Sequence, residues 1–251
     1  MNETPSWTVT VADSRSAHHE IENLDLLYID PPFFTQRDFV AFDDRWDSFD
    51  VYINLIKASV SAVVAHNQNF NIIVHVDPRT SHYIKVALDK ILGHNNFTSE
   101  IIWNYNSGGA GKNALAKKHD VMLHYRLEDA PFNILREPYA TPNVTGREGF
   151  NDAGRMLTDV WSIPIISTTG KERTGYPTQK PLALLDRIVQ VFSNEGNTVM
   201  DTFCGSGTTG VAALMNRRNF IGSDISEEAV AITKERLITA EAAMSTDGDS
   251  N

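Results

Sequence analysis

Residues 198–209 read Thr198-Val-Met-Asp201-Thr-Phe203-Cys-Gly205-Ser-Gly207-Thr-Thr209. The apolar start predicts a buried strand that ends in an acidic residue, and the glycines predict a tight turn that opens a helix. Free N–H groups at such a helix start favour an anion. This pattern is typical of the cofactor crevice of a doubly wound sheet. A plain turn is the alternative, and threonines stand where a dinucleotide fingerprint would have its third glycine.

A second acidic residue, Asp224, follows the next apolar run of the chain, where a carboxylate could accept both hydroxyls of a ribose. Outward from this pair, apolar runs that predict strands alternate with periodic stretches that predict helices. The predicted strands are 7–12, 24–29, 70–76, 101–105, 121–125, 198–203 and 220–225. The predicted helices are 47–66, 79–92, 182–195, 208–216 and 226–243. This alternation predicts an α/β fold, with a mostly parallel sheet covered by helices on both faces.

The second motif is Asp30-Pro-Pro-Phe33, which follows the buried run Leu24–Ile29. Two consecutive prolines stiffen a loop. The Asp30 carboxylate and the Pro31 carbonyl can therefore face the amino group of a ligand together. A simple turn is the alternative interpretation of these four residues.

The composition excludes several classes of protein. The chain has 251 residues, a formal net charge of −10 and one cysteine. A single cysteine cannot form an internal disulfide framework or a multi-cysteine zinc site, and the histidines lack metal-ligand spacing, so no metal is expected. No apolar run approaches the roughly 20 residues that span a bilayer. Because the acidic start is unlike a signal peptide, we expect a cytoplasmic protein with no membrane association.

The negative charge is not evenly distributed along the chain. Residues 103–180 carry 10 basic and 8 acidic side chains, whereas residues 1–102 carry 7 and 14 and residues 181–251 carry 5 and 10. The middle segment is also rich in Gly, Asn, Thr and Pro, which predicts loops. It is either an ordinary mixed surface or an inserted region that meets an anionic partner.

Taken together, Asp30-Pro-Pro-Phe33, Gly175-Tyr-Pro-Thr-Gln-Lys-Pro181 and Phe203-x-Gly205-x-Gly207 resemble the motifs of DNA amino-methyltransferases that use S-adenosylmethionine. Their order along the chain resembles the β class of N6-adenine and N4-cytosine enzymes. Shorter matches are Asp43-Asp-Arg-Trp46 and His75-Val-Asp-Pro78, and the resemblance covers roughly residues 7–240. Thr202 stands where many members have proline, and Phe33 stands where tyrosine is commoner.

The resemblance implies a Rossmann-like class I methyltransferase fold in circularly permuted motif order. Strand 7–12 would then lie beside strand 219–225, so that the two ends of the chain meet. The implied organisation is a catalytic half (1–102), an inserted loop-rich target-recognition region (103–174), a cofactor-binding half (175–244) and a disordered tail (245–251).

Residue by residue, the resemblance implies a catalytic group and a cofactor group. The catalytic residues would be Asp30, Pro31, Pro32 and Phe33. The residues holding S-adenosylmethionine would be Asp13, Gln179, Lys180, Asp201, Phe203, Gly205, Ser206, Gly207, Thr208, Asp224 and Ile225. A surface role for Lys180 and a core role for Phe203 and Ile225 are alternatives. The DNA contacts expected from the basic segment are Lys112, Lys117, Lys118, His119, Arg147 and Arg173.

The implied function is methyl transfer to the exocyclic N6 of a flipped-out adenine in double-stranded DNA. Adenine is favoured because aspartate leads the catalytic motif, and N4 of cytosine is the alternative. The same fold acting on RNA or protein, or an inactive DNA- or cofactor-binding module, is also considered. Cys204 is interpreted as a small loop residue rather than a nucleophile, because transfer to nitrogen needs no covalent intermediate. The candidate partners are a second copy of the chain in a homodimer, a separate restriction endonuclease and the nucleoid.

Overall fold

The computed structural model describes residues 4–16, 20–39, 42–105, 109, 112–113, 115–139 and 150–248. Eight strands form one central sheet. They are β1 (Trp7–Val11), β2 (Leu24–Ile29), β5 (Asn71–Val76), β6 (Phe97–Asn104), β7 (His119–Arg126), β10 (Val160–Ser162), β11 (Thr198–Asp201) and β12 (Asn219–Asp224). Four shorter strands form two antiparallel pairs outside the sheet, β3 (Asp38–Phe39) with β4 (Phe42–Asp43) and β8 (Arg136–Glu137) with β9 (Arg155–Met156).

The strand order of the sheet is β1-β12-β11-β2-β5-β7-β6-β10. All neighbours run parallel except β7, which is antiparallel to both β5 and β6. The predicted meeting of the chain ends is confirmed, because Trp7 lies opposite Phe220 and Val11 lies opposite Asp224. The carboxyl ends of β1, β2, β11 and β12 therefore share one edge of the sheet.

Helices cover both faces of the sheet, as the doubly wound interpretation predicts. They are α1 (Phe49–Val64), α2 (Ser81–Leu92), α3 (Leu182–Phe192), α4 (Thr208–Met215) and α5 (Glu227–Gly248), with a short 3₁₀ turn at His94–Asn96. Strand β2 is buried throughout, and its side chains alternate between two cores. Leu26 and Tyr28 pack on the side of α3, α4 and α5, whereas Leu27 and Ile29 pack on the side of α1 and α2.

The predicted insertion over residues 103–174 needs a correction. Strand β6 crosses its first boundary, and both β7 and β10 belong to the central sheet. Strand β7 is buried along most of its length between β5 and β6. A segment that is rich in turn residues on average therefore still contains an apolar run, Val121–Tyr125, that completes the sheet.

The last helix is longer than the sequence predicts, since α5 continues to Gly248 instead of ending near residue 243. Of the predicted disordered tail, residues 249–251 lie outside the described part of the chain. Within the described residues, no helix combines the length and the apolar character needed to cross a membrane.

Candidate active site

One cavity of about 1000 Å³ opens at the carboxyl edge of the sheet. It extends from the Asp30-Pro-Pro-Phe33 loop after β2 to the glycine turn after β11 and to Asp224 at the end of β12. Ligands of doubly wound sheets bind at this edge because loops diverge there. The fold thus brings the two sequence motifs, 170 residues apart in the chain, into one site.

The Asp30 carboxylate lies at one end of the cavity and is mostly buried, with 14% of its side chain exposed. Its Oδ2 forms an ion pair with Lys180 Nζ. Its Oδ1 is buried and has no hydrogen-bond partner among the described residues. Since Asp30 lines the cavity and this oxygen accepts no hydrogen bond from the described residues, the oxygen is open to a donor that enters the cavity.

The Phe33 ring lies beside this carboxylate and lines the same cavity. Lys180 Nζ lies 4.9 Å from its centroid, and Lys117 Nζ lies 5.7 Å away. The buried His75 ring packs against it with a centroid distance of 5.6 Å. Pro31 is buried and Pro32 half-buried, and both also line the cavity. The four predicted catalytic residues therefore lie together.

Asp44 organises the chain just after the catalytic motif, a role the sequence analysis missed. Its fully buried carboxylate accepts hydrogen bonds from the backbone N–H groups of Phe34 (3.0 Å) and Thr35 (2.7 Å). It also accepts one from Trp46 Nε1 at 2.9 Å. The motif Asp43-Asp-Arg-Trp46 was the signal that could have identified it.

The glycine turn is tied directly to Asp224. Gly205 adopts the left-handed backbone region (φ 50°), and its N–H donates to Asp224 Oδ2 at 2.9 Å. The Ser226 N–H donates to Asp224 Oδ1 at 3.0 Å. Burial raises the pKa of the Asp224 carboxyl, although these backbone hydrogen bonds act in the opposite direction. Asp224 therefore presents a fixed, mostly buried carboxylate to the cavity.

Asp201 links strand β11 to helix α4. Its buried side chain accepts a hydrogen bond from Thr209 Oγ1 at 2.6 Å and another from the Phe203 N–H at 2.9 Å. Burial raises the pKa of Asp201 to about 7, despite the two hydrogen bonds that favour its ionised form. Its carboxyl thus holds the turn in place, at the floor of the cavity.

The remaining residues of the turn divide into two groups. Ser206 and Thr208 are buried at the cavity wall, where Arg236 Nη1 donates to the Ser206 carbonyl (2.5 Å) and to Thr208 Oγ1 (3.0 Å). Gly207 packs against helix α5, where a Cβ would lie 2.7 Å from Thr233 Cγ2. Packing therefore requires a glycine at this position, and the predicted contact of Gly207 with the cofactor stays a prediction.

A further residue missed by the sequence analysis is Tyr176, whose ring packs on Gly205. A Cβ at Gly205 would lie 3.2 Å from Tyr176 Cε1. Burial raises the pKa of Tyr176, so its hydroxyl stays protonated. Gln179 shapes the same loop, because its Oε1 accepts from the Thr174 N–H (2.8 Å) and its Nε2 donates to the Glu172 carbonyl (2.7 Å). Both residues line the cavity.

Three predicted cofactor residues form the outer wall. Asp13 lies just after β1 and pairs with Arg15, with 2.5 Å between Oδ2 and Nη2, and this contact lowers the pKa of the Asp13 carboxyl. Phe203 is half-buried, whereas Ile225 is 71% exposed although it lines the cavity. Ile225 is thus not a core residue, and its apolar surface faces the open space.

Cys204 is buried behind the glycine turn, and burial raises the pKa of its thiol. A thiol that stays protonated is a poor nucleophile. This agrees with its interpretation as a small loop residue. Among the described residues, no cluster of three or more His, Cys, Asp or Glu side chains could hold a metal ion.

The predicted DNA contacts are not all equivalent. Lys112 and Arg173 are exposed, and Lys118 and His119 are half-buried at the start of β7. Lys117 is exposed as well, but its Nζ forms ion pairs with Asp77 Oδ2 at 2.7 Å and Asp120 Oδ1 at 3.0 Å beside Phe33. These contacts connect Lys117 to the residues behind the catalytic motif, and its predicted DNA contact stays a prediction. Arg147 lies outside the described residues.

Comparison with known proteins gives a consistent result. Residues 24–235 match a family model described as DNA methylase. The chain is 29% identical to Type II methyltransferase M.HpaI of Haemophilus parainfluenzae, over 87% of this chain and 69% of that protein. It is 28% identical to DNA adenine methyltransferase YhdJ of Escherichia coli (strain K12), over 87% and 78% respectively. The crystal structure of an M1.HpyAVI–SAM complex superposes with a TM-score of 0.61 at 23% identity, covering 92% of this chain and 98% of that one.

Proposed function

The chain belongs to the DNA methylase family, and from that premise we propose that it methylates N6 of adenine in double-stranded DNA. S-Adenosylmethionine is the methyl donor of this family and supplies an activated methyl group on a sulfonium. The observation that carries the proposal is the single cavity that joins the Asp30 carboxylate to the glycine turn and Asp224.

The residues at the glycine turn fit a nucleoside of this kind. Asp224 is a fixed carboxylate at a strand end, a position suited to ribose hydroxyls. The exposed side chain of Ile225 and the half-buried Phe203 offer apolar surface for a purine ring. Asp13, Ser206, Thr208 and Gln179 complete the wall on the same side of the cavity.

Asp30 would activate the target amino group. An exocyclic amine is a poor nucleophile because its lone pair is delocalised into the ring. Oδ1 of Asp30 and the Pro31 carbonyl would accept hydrogen bonds from the two N–H groups of this amine. These hydrogen bonds would raise the electron density on nitrogen as it attacks the methyl group. Such electrostatic stabilisation is strongest where water is excluded, and the Asp30 side chain is mostly buried.

Lys180 would act at the junction of the two ends of the site. Its Nζ pairs with Asp30 Oδ2, which leaves Oδ1 available for the substrate. The sequence assigned Lys180 to the carboxylate of the cofactor; its contacts add the catalytic carboxylate as a partner. It would hold the orientation of Asp30 and keep a positive charge at the centre of the cavity.

The target base would have to leave the helix to reach Asp30. Phe33 provides the aromatic face on which a flipped base can stack, since it lies beside the carboxylate. An adenine target is supported by the aspartate at the head of the catalytic motif and by the similarity to an adenine methyltransferase. N4 of cytosine is the competing target. We extend the proposal to the setting of the enzyme. It would work in the cytoplasm in association with the nucleoid, as a homodimer and beside a separate restriction endonuclease.

Labelled methyl transfer tests the proposal. Unmethylated duplex DNA is incubated with the protein and labelled S-adenosylmethionine, and the nucleosides are identified by mass spectrometry. We expect N6-methyladenine, and Asp30→Ala should abolish its formation. N4-methylcytosine would replace the adenine assignment, and no transfer to DNA by the wild type would refute the proposed function.

A further inference from the structure

His75 occupies a place behind the catalytic motif that the proposed mechanism does not use. Strands β2 and β5 are parallel neighbours, and Ile29 pairs with Val74. The next residues of the two strands are Asp30 and His75, so both stand at the same point of the sheet edge. His75 is fully buried, and its ring packs against Phe33 with a centroid distance of 5.6 Å.

The two ring nitrogens of His75 face two different polar groups. Nδ1 lies 2.8 Å from the hydroxyl of Tyr28, a fully buried residue of β2 that lines the cavity. Nε2 lies 3.4 Å from Asp120 Oδ2, at ion-pair distance but without a hydrogen bond. The edge of the Trp103 ring closes another side, with a centroid distance of 5.6 Å. His75 is therefore held from three strands, β2, β6 and β7.

Asp120 is itself fixed from the outside. Its Oδ1 accepts a hydrogen bond from the Tyr105 hydroxyl at 3.1 Å and pairs with Lys117 Nζ at 3.0 Å. Lys117 also pairs with the buried Asp77. A chain of polar contacts thus runs from Tyr28 through His75 and Asp120 to Lys117, whose side chain reaches the surface.

The charges along this chain keep the Asp120 carboxylate ionised. Burial raises the pKa of Asp120, but its contact with His75 and the charges of Lys180 and Lys117 outweigh that effect and place the pKa well below the ordinary range. An ionised carboxylate only accepts hydrogen bonds, so Asp120 favours an N–H of the ring on its side. The other ring nitrogen, Nδ1, lies at hydrogen-bond distance from the Tyr28 hydroxyl. The two contacts on opposite sides of the imidazole fix the orientation of the ring.

We propose that His75, fixed by Tyr28 and Asp120, is a positioning residue that sets the Phe33 ring for stacking of the flipped base. This inference rests on the proposed function of the same site. It also accounts for Lys117, which completes this network. Replacing buried ionic groups by apolar residues of similar volume is often neutral for stability, so a chain of polar contacts that ends on the Phe33 ring is better explained by orientation than by stability.

A purely structural network makes a different prediction. It would lower stability when a member is removed, and any loss of activity would follow the loss of folded protein. A positioning network lowers the rate of methyl transfer in the folded enzyme and leaves the affinity for the cofactor unchanged. Its effect must also vanish when the ring that it positions is absent.

The experiment is a double-mutant cycle with matched controls. Asp120→Asn keeps the shape of the side chain and removes its charge, and Tyr28→Phe removes only the hydroxyl. Asp25→Asn and Tyr125→Phe make the same chemical changes at buried residues that do not line the cavity. Asp25 accepts from the Asn194 N–H, and the Tyr125 hydroxyl donates to Asp89. Each network variant is also combined with Phe33→Ala.

Single-turnover methylation of unmethylated DNA gives the rate, titration calorimetry gives the affinity for S-adenosylmethionine, and thermal unfolding gives the folded fraction. We expect Asp120→Asn and Tyr28→Phe to lower the rate about tenfold or more, with the affinity changed by less than about twofold. In the Phe33→Ala background each should change the rate by less than about twofold. Additive losses, or equal losses in the control variants, would overturn the inference. A wild type that methylates nothing would instead refute the proposed function.

Discussion

The carboxylates at the two ends of the cavity have different partners. At the glycine turn, both oxygens of Asp201 and both oxygens of Asp224 accept hydrogen bonds from the protein, mostly from backbone N–H groups of the turn and of the residues after β12. At the catalytic end, the Asp30 carboxylate pairs with Lys180 from 150 positions away, and its second oxygen has no partner among the described residues. The protein thus supplies donors to both oxygens of the two carboxylates at the turn, whereas one oxygen of Asp30 is left open to the cavity.

This difference separates a preorganised binding surface from a reactive one. The turn holds its conformation through internal bonds, so ligand binding there needs little rearrangement. An oxygen of Asp30 to which none of the described residues donates remains free to accept a hydrogen bond from an incoming donor. It lies where the amino group of the proposed substrate would bind, as expected for a group that acts in the transition state.

The strongest test of the contrast is Asp30→Ala. We expect methyl transfer to fall about 10²–10³-fold or more, because a developing positive charge loses its main stabilising group. The affinity for S-adenosylmethionine, measured by calorimetry, should change by only a few-fold if the two ends are independent, roughly as distant sites are. Asp43→Ala is the matched control, since Asp43 also lines the cavity but pairs with Arg45 near solvent. A parallel collapse of cofactor affinity would show that the ends are not separable.

Asp224→Ala should give the reciprocal result. Removing the carboxylate deletes the anchor of Gly205 and the proposed ribose contact, so the affinity for S-adenosylmethionine should fall about 10–100-fold. At saturating cofactor the single-turnover rate should stay within about threefold of the wild type, roughly as for a loss of uniform binding. The exposed Asp129→Ala serves as the control. A large loss of the single-turnover rate at saturating cofactor would contradict the assignment of Asp224 to cofactor binding alone.

The pH dependence of folding stability tests whether the buried Asp201 carboxyl at the turn is protonated in the folded protein. Its pKa is raised to about 7 in the folded state, and an unfolded aspartate titrates near 3.9. Between these values the folded state holds a proton that the unfolded state has released, so stability falls as pH rises from about 4 to about 7. Urea unfolding at pH 5 and at pH 8 measures this loss as a difference between two free energies of unfolding. In Asp201→Asn that difference should be smaller than in the wild type by on the order of 1–3 kcal/mol. If the difference between pH 5 and pH 8 were the same as in the wild type, Asp201 would be ionised in the folded state at both pH values.

The same contrast explains what the sequence could predict. Glycine spacing, strand-end acids and apolar runs are local patterns, and they predicted Asp224, Gly205 and the strands β1 and β12, whereas the pairing of these two strands was implied by the family resemblance. The catalytic end depends on contacts between distant segments. Nothing near Lys117 in the sequence indicates Asp77, 40 positions away, so its charge was assigned to DNA. The packing of Gly207 on Thr233 was unforeseen for a related reason, because Thr233 belongs to a later helix.

The smallest expected effects concern the basic segment, and they decide which of its charges face DNA. Lys112 and Arg173 are exposed, so replacing either with alanine should weaken duplex binding a few-fold and reduce the salt slope by about one unit. Lys117→Ala should leave that slope unchanged, because the Lys117 ammonium is already paired with Asp77 and Asp120. Fluorescence anisotropy on a labelled duplex between 50 and about 200 mM salt measures both. If Lys117 carried a full share of the slope, the proposed network behind Phe33 would have to open when DNA binds, and its ion pairs would belong to the free protein alone.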